Sequence, residues 1–387
     1  MSESQVLRRH GGPILHWAGR VTDEVFSFLG PASAALAASG VEQTIVLCDE
    51  PRYRHLLTRF HKSVRLALTP ADANLYRRWR LARSAFVAEL HRSAPATVHL
   101  HGSVPYLLSL TELSRLPAGR VVCYSPHGSR ALRSWALPAG LLRPLLEAAP
   151  RHLHVREIAN AATDLRRLRA LMREPVGLVE SQVAEVYFQS ARAEAERPLI
   201  LTGSRIPAAS SVDLFSRLAV LLGDERLGAR FGWLGSLAAD LEAQLRSAQV
   251  EVLDETDDAR RAEHLGRAWA FLATQGTDGF PLFLAEAMAS GVPCVAVDTP
   301  FHRDLIDHGK TGYLFKTDEE LMHCMAMLLD SGSLRQQLGC AAREMAERRF
   351  SGHRFRDSMF NAYGPDVVEH QAEVSASRPV GTHLSII

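Results

Sequence analysis

A chain of 387 residues exceeds the size at which one hydrophobic core usually stops growing, which predicts two domains of about 190 residues each. A 47% hydrophobic and 22% charged composition, with no uncharged apolar run near the ~18 residues of a membrane span, excludes a helical integral membrane protein. The net charge of +1 hides a polarity: residues 1–190 hold 24 Lys+Arg against 15 Asp+Glu, and residues 191–387 hold 20 against 28. The basic first half suits an anionic partner such as a membrane surface or phosphorylated acceptor; solvated helix faces would give the same count.

Met1–His10 is charged and lacks the apolar stretch of a secretory signal, so the expected compartment is the cytoplasm. Five scattered cysteines without C-x-x-C spacing read as reduced thiols. Short apolar runs then alternate with helical-period segments, the pattern of parallel sheets wrapped by helices. Strands are expected near Pro13–Ala18, Thr44–Cys48, Val64–Leu68, Thr97–His101, Val121–Ser125, His152–Val155 and Val176–Val179. A second set follows at Leu199–Thr202, Arg230–Leu234, Val250–Leu253, Ala270–Thr274, Cys294–Val297 and Tyr313–Phe315. The polar stretch Ser190–Pro198 marks the boundary, giving an N-terminal domain 1–190 and a C-terminal domain 191–350. Thr317-Asp-Glu-Glu320 is a capping box, a helix follows over Ser333–Arg349, a closing helix is placed at 351–363, and the polar segment 364–387 reads as a disordered tail.

Between Ala270 and Val297 the punctuation is dense. Pro281 suits a helix start, Gly291 suits the residue after a helix end, and Pro293 blocks continuation, so the unit reads strand, loop, helix, strand. Its loop lies at the carboxyl end of a parallel strand, where open α/β sheets bind ligands. The run Asp278-Gly-Phe-Pro-Leu-Phe-Leu-Ala-Glu286-Ala-Met-Ala-Ser-Gly-Val-Pro-Cys-Val-Ala, followed by Asp307-His-Gly-Lys-Thr-Gly312-Tyr-Leu, resembles the nucleotide-sugar signature of retaining glycosyltransferases of the GT-B fold, family 4. The resemblance covers about 45 residues.

What it implies is an α/β fold of two facing Rossmann-like domains with the donor site in the interdomain cleft. A carboxylate accepts several strong hydrogen bonds from hydroxyls, and by resemblance Glu286 would take the ribose while Asp278 would hold hydroxyls of the transferred sugar. Backbone N–H groups of the Asp278–Leu282 loop (Gly279, Phe280, Pro281, Leu282) would touch the sugar or diphosphate. Gly203-Ser-Arg205 matches the family's Gly-x-Arg, so Gly203 would approach the donor and Arg205 would neutralise charge on the leaving diphosphate. The family's lysine some residues later is missing from Ile206–Val212, and its Gly-rich turn reads Thr299-Pro-Phe-His-Arg303. His302 and Arg303 are candidate replacements; the alternative is that both are solvated turn residues.

In the first half, Tyr124-Ser-Pro-His127-Gly resembles the family's sugar-contacting histidine, and His99-Leu-His101-Gly102 closes a preceding strand at the same edge. His16-Trp-Ala-Gly19 matches the family's glycine-rich loop weakly. Tyr76–Arg83 and Arg130–Leu146 mix arginine with Trp and Leu, which suits a peripheral membrane contact that reaches a lipid-linked acceptor, or an ordinary surface helix. The resemblance therefore predicts a retaining transferase that moves a sugar from a UDP- or GDP-sugar to a glycan or lipid-linked acceptor in polysaccharide assembly. It predicts no metal and no nucleic-acid partner. A catalytically silent subunit on the same fold is the alternative, supported by the missing lysine.

Overall fold

A computed structural model describes residues 12–19, 23–71, 74–127, 152–171, 176–204, 208–223, 228–253, 257–274 and 279–364. The expected tail and the Arg130–Leu146 segment therefore lie outside the described residues, apart from Gly364. The chain divides into two compact units, Met1–Asn160 with Asp164–Val179 and Arg356–Ile387, and Ala161–Thr163 with Glu180–Phe355. The second unit thus begins upstream of the Ser190–Pro198 stretch, and most of the last helix, Gly352–Tyr363, belongs with the first unit.

The first unit holds a seven-stranded sheet: β1 Ile14–Ala18, β2 Gln43–Asp49, β3 Arg65–Pro70, β4 Thr97–His101, β5 Val121–Ser125, β6 His154–Ala159 and β7 Val176–Leu178. Its spatial order is β3-β2-β1-β4-β5-β6-β7 and every pairing is parallel. The strands are apolar runs because helices cover both faces. On one face Leu15, Trp17, Leu100 and Tyr124 pack under the helix Leu75–Ser93, where Trp17 stacks on Phe86 at 4.5 Å. The period of two then sends His16, His99 and His101 to the opposite face, toward Phe28 of the helix Asp23–Ala38. Histidines inside an apolar strand are thereby collected at one place.

The second unit holds a six-stranded parallel sheet: β8 Leu199–Gly203, β9 Arg230–Leu234, β10 Val250–Leu253, β11 Ala270–Ala273, β12 Cys294–Val297 and β13 Tyr313–Phe315, in the order β10-β9-β8-β11-β12-β13. Leu201, Phe271, Ala285, Met288 and Cys294 form its core beneath the helix Leu282–Ala289. That helix ends as its sequence dictates: Gly291 takes φ +71° in the left-handed region, and its carbonyl lies so close to Gly339 of the helix Gly332–Phe350 that a Cβ there would overlap it. Pro281 is the N-cap residue and not the first helical one. Thr317 accepts from the Glu320 N–H as a capping residue should, while the Glu320 carboxylate accepts from Lys316 N–H.

Each sheet reverses its strand order once, between β1 and β4 in the first unit and between β8 and β11 in the second. Ligands of such sheets bind outside the carboxyl ends of the strands at these reversals.

Candidate functional site

In the second unit, β11 runs to Ala273 and the chain re-emerges from the undescribed residues 275–278 at Gly279, directly before the Glu286 helix. Asp278 and Arg205 thus lie outside the described residues. Gly203 ends β8, and a Cβ on it would meet the Phe283 ring at 2.7 Å and the Leu234 carbonyl at 2.8 Å. Glycine is required there by the close approach of helix and strand.

Within the loop, Leu282 N–H donates to the Phe280 carbonyl at 2.9 Å and Pro281 has no N–H. The Leu282 N–H is thus engaged within the loop, and Pro281 offers no backbone donor. Phe280 packs edge-on against Phe350 at 5.2 Å, which anchors the loop to the last turn of the Gly332–Phe350 helix.

Glu286 is 3% exposed and is not a solvated helix carboxylate. Its Oε2 accepts from Arg261 Nη1 at 3.2 Å. Arg261 comes from the helix Asp258–Arg267, is 3% exposed, and also meets Asp258 at 3.3 Å and the Phe283 ring at 5.0 Å. Burial disfavours its charge, but Glu286, Tyr187 and Asp258 together hold its pKa above the ordinary value. Sequence reading missed Arg261. The available signal was its place with Ala262 and Leu265 on the buried face of an otherwise charged helix, because a buried guanidinium demands a carboxylate.

Neither candidate replacement for the missing lysine offers a ready cation. Arg303, which is exposed, donates through Nε and Nη2 to both oxygens of Asp298 at 2.5 and 2.8 Å. His302 is buried and donates from Nδ1 to the Val297 carbonyl at 2.7 Å; burial holds its pKa below the ordinary value. The second motif is a turn into β13: Asp307 N–H donates to Thr311 Oγ1, Leu314 N–H donates to His308 Nδ1, and Lys310 pairs with Asp307 at 3.0 Å.

In the first unit, four histidines meet at the carboxyl ends of β1, β4 and β5. His16 Nδ1 lies 3.1 Å from His101 Nε2, and His101 Nδ1 lies 2.8 Å from Nε2 of His127, just after β5. His127 is half-buried against the Phe28 ring and takes a left-handed φ of +49°, a conformation disfavoured for any residue with a Cβ. His99 sits beside this string, hydrogen-bonded to Tyr363 Oη at 2.6 Å and Ser125 Oγ at 2.9 Å. Burial pushes the pKa of His16 and of His127 down to about 3 and lowers those of His99 and His101, so the cluster is neutral. Gly19 follows β1, where a Cβ would strike the Trp79 ring, so its role in the described fold is to admit that ring.

Two open parallel sheets, each with a single reversal and each carrying polar groups at its carboxyl ends, define a GT-B type α/β protein built from two Rossmann-like units. Residues 188–345, which lie in the second unit, match the family model described as Glycosyl transferases group 1. A 116-residue stretch is 31% identical to phosphatidyl-myo-inositol mannosyltransferase of Mycobacterium leprae, covering 28% of this chain and 31% of that protein. A 133-residue stretch is 31% identical to N-acetyl-alpha-D-glucosaminyl L-malate synthase of Bacillus anthracis, covering 34% and 33%. The matched stretches span about a third of these relatives. Among solved structures, the chain superposes on a glycosyltransferase from Rickettsia africae with TM-score 0.71 at 12% identity, covering 92% of this chain and 99% of that one. Anabaena HepE in complex with UDP-glucose gives 0.70 at 14% identity, covering 95% and 100%. No described helix is long and apolar enough to cross a membrane.

Proposed function

We propose that the chain is a retaining glycosyltransferase that takes a sugar from a UDP- or GDP-sugar and passes it to a glycan or lipid-linked acceptor. The observation that carries this reading is the buried pair of Arg261 with Glu286, the latter midway along the helix Leu282–Ala289 that follows β11, inside the segment matching group 1 glycosyl transferases. A carboxylate fixed by a guanidinium is a preorganised acceptor for a ribose diol: Arg261 engages Oε2 of the buried Glu286. That Anabaena HepE is found with UDP-glucose agrees with a nucleotide-sugar donor.

In the proposed reaction the diphosphate departs from the anomeric carbon as Arg205 neutralises its growing charge, and Asp278 and His127 hold hydroxyls of the sugar. The acceptor hydroxyl attacks the face the diphosphate leaves, as retention requires. The exposed Leu75, Tyr76 and Leu81, set among arginines on one helix, support peripheral contact with a lipid surface during acceptor capture.

Calorimetric titration with UDP and GDP, followed by donor hydrolysis across a panel of nucleotide sugars, tests the reading. We expect binding of one nucleotide and turnover of its sugar, with Glu286→Ala and Arg205→Ala each costing tenfold or more. Folded protein that binds neither nucleotide would instead favour a silent subunit, the second reading, for which the engagement of Arg303 by Asp298 is the supporting observation.

A further inference from the structure

The histidine string has a direction. Gln43, at the start of β2, donates from Nε2 to the Ser33 carbonyl at 2.9 Å. A carbonyl only accepts, so this contact fixes the amide and makes Oε1 the acceptor that remains. Gln43 Oε1 and His16 Nε2 are both buried and have no other hydrogen-bond partner. Gln43 stands opposite Ile14 in the parallel pairing of β1 with β2, so its side chain and that of His16, two residues on, are diagonal neighbours on one face of the sheet; burial lowers the His16 pKa and Gln43 opposes that lowering. Buried polar atoms of this kind are complements of one another. His16 is then protonated on Nε2, and its Nδ1 is a lone pair. That lone pair receives the proton of His101 Nε2 across 3.1 Å, so His101 Nδ1 is in turn a lone pair and receives the proton of His127 Nε2 across 2.8 Å.

We propose that Ser33, Gln43, His16 and His101 are positioning residues that lock His127 as the Nε2–H tautomer, so that its Nδ1 presents a lone pair to a hydroxyl of the sugar and not to the diphosphate. The rings are neutral, as their burial requires, so each nitrogen in the string either donates or accepts and one end determines the other. A hydrogen-bond acceptor repels phosphate oxygens and selects an O–H or N–H donor. The strained backbone of His127 and its edge contact with Phe28 hold the ring plane, and the string supplies what sterics cannot, the position of the proton. Three of the rings, His16, His99 and His101, also bring ligand atoms within 4.8 Å of one another. Both nitrogens of His99 and of His101 are already in hydrogen bonds, so a metal would have to break the string.

The proposal builds on the assignment of His127 to the sugar, and its test separates the two. Long-range proton–nitrogen NMR of the full chain, labelled at histidine and assigned by loss of one ring signal in His127→Phe, reports the tautomer without substrate. We expect a protonated Nε2 and a pyridine-type Nδ1 at His127. Gln43→Met removes the terminal acceptor and should bring in the second tautomer. A merely structural role for Gln43 would move neither population selectively. A wild-type His127 protonated on Nδ1, an unchanged tautomer in Gln43→Met, or stoichiometric metal bound by the purified chain would overturn the string. If Gln43→Met does not fold, the wild-type spectrum alone decides. In kinetics, we expect about tenfold lower kcat/KM in Gln43→Met, the order of one neutral hydrogen bond. A locked tautomer with kcat/KM unaltered in His127→Phe would remove His127 from the sugar site while leaving the string intact.

Discussion

Removing the guanidinium of Arg261 should unfold the second unit more readily, by an amount the burial of its partner sets. The side chains of Arg261 and Glu286 are each 4% exposed, so little solvent screening applies. Arg261→Met removes the guanidinium from which the buried Glu286 carboxylate accepts, which costs about 3–5 kcal/mol. Asp258, at 23% exposure, can turn to water and adds little. For a unit of this size about 2–4 °C of melting temperature accompanies each kcal/mol, so the variant should melt roughly 6–20 °C lower. Glu286→Leu should cost a similar amount by removing the buried carboxylate partner of Arg261. The double variant should recover much of the loss, because an apolar pair of like volume can replace a buried ion pair nearly neutrally. Urea denaturation of the four proteins gives the coupling as a double-mutant cycle, expected at about 5 kcal/mol or more, since the two singles sum to about 6–10 kcal/mol and the double variant keeps little of that. Single variants costing under about 1 kcal/mol, or a double variant costing their sum, would refute the view that this pair is a desolvated unit.

Acid should destabilise the first unit in a defined window. The folded pKa values of His16 and His127 lie near 3, below the ordinary value of about 6.5, so the unfolded chain binds more protons and stability falls as pH drops from about 6.5 towards 3. Near pH 5 these two rings alone give a slope of roughly 3 kcal/mol per pH unit, which urea titrations between pH 7 and 5 measure; His127→Phe should lower it by about half. Gly203→Ala should cost about 1–3 kcal/mol in thermal melts, since the Leu234 carbonyl that a Cβ would meet at 2.8 Å is backbone and cannot swing away.

The strands were legible because each is a short apolar run between turn residues, and a buried parallel strand needs no finer pattern. Thr97–His101, Val121–Ser125 and Cys294–Val297 carry the same limits in sequence and structure. The end of the Glu286 helix was equally plain, because a left-handed residue after a helix favours glycine. Contacts across large sequence separations were not legible. The partner of Glu286 is 25 residues away, and the histidine string joins residues 16, 101 and 127, an association that strand order creates and no local pattern records. The unit boundary at Val179 to Glu180 was obscured for a different reason: the polar stretch at 190–198 docks on its own unit, where Arg192 donates to the Gly266 carbonyl and Glu194 pairs with Arg335. Polarity there marks surface ion pairs and backbone contacts, not a linker.

The missing lysine turns attention to which cation a diphosphate would meet. Around the second motif the described cations are committed: Arg303 and Lys316 share Asp298, Lys310 pairs with Asp307, and Arg261 holds Glu286. Drawing Arg303 away would cost Asp298 its main partner and leave it Lys316 alone at 3.6 Å; its side chain is 10% exposed, and Arg303 is the first cause holding its pKa below the usual carboxylate range. In the proposed reaction the leaving-group charge therefore falls on Arg205 and on backbone dipoles. A guanidinium offers two parallel donors to a diphosphate, whereas an ammonium is a point charge on a flexible stem, so Arg205→Lys should not be conservative. Because the charge grows only as the bond breaks, the loss should appear in kcat, about tenfold for Arg205→Lys and more for Arg205→Ala, with the donor KM changed less. Arg303→Ala should leave kcat within a factor of about two, apart from any loss of folded protein. Steady-state kinetics of the three variants on one nucleotide sugar decides the matter: an Arg303→Ala defect as deep as that of Arg205→Ala would move the role to Arg303, and full activity in Arg205→Ala would remove it from Arg205.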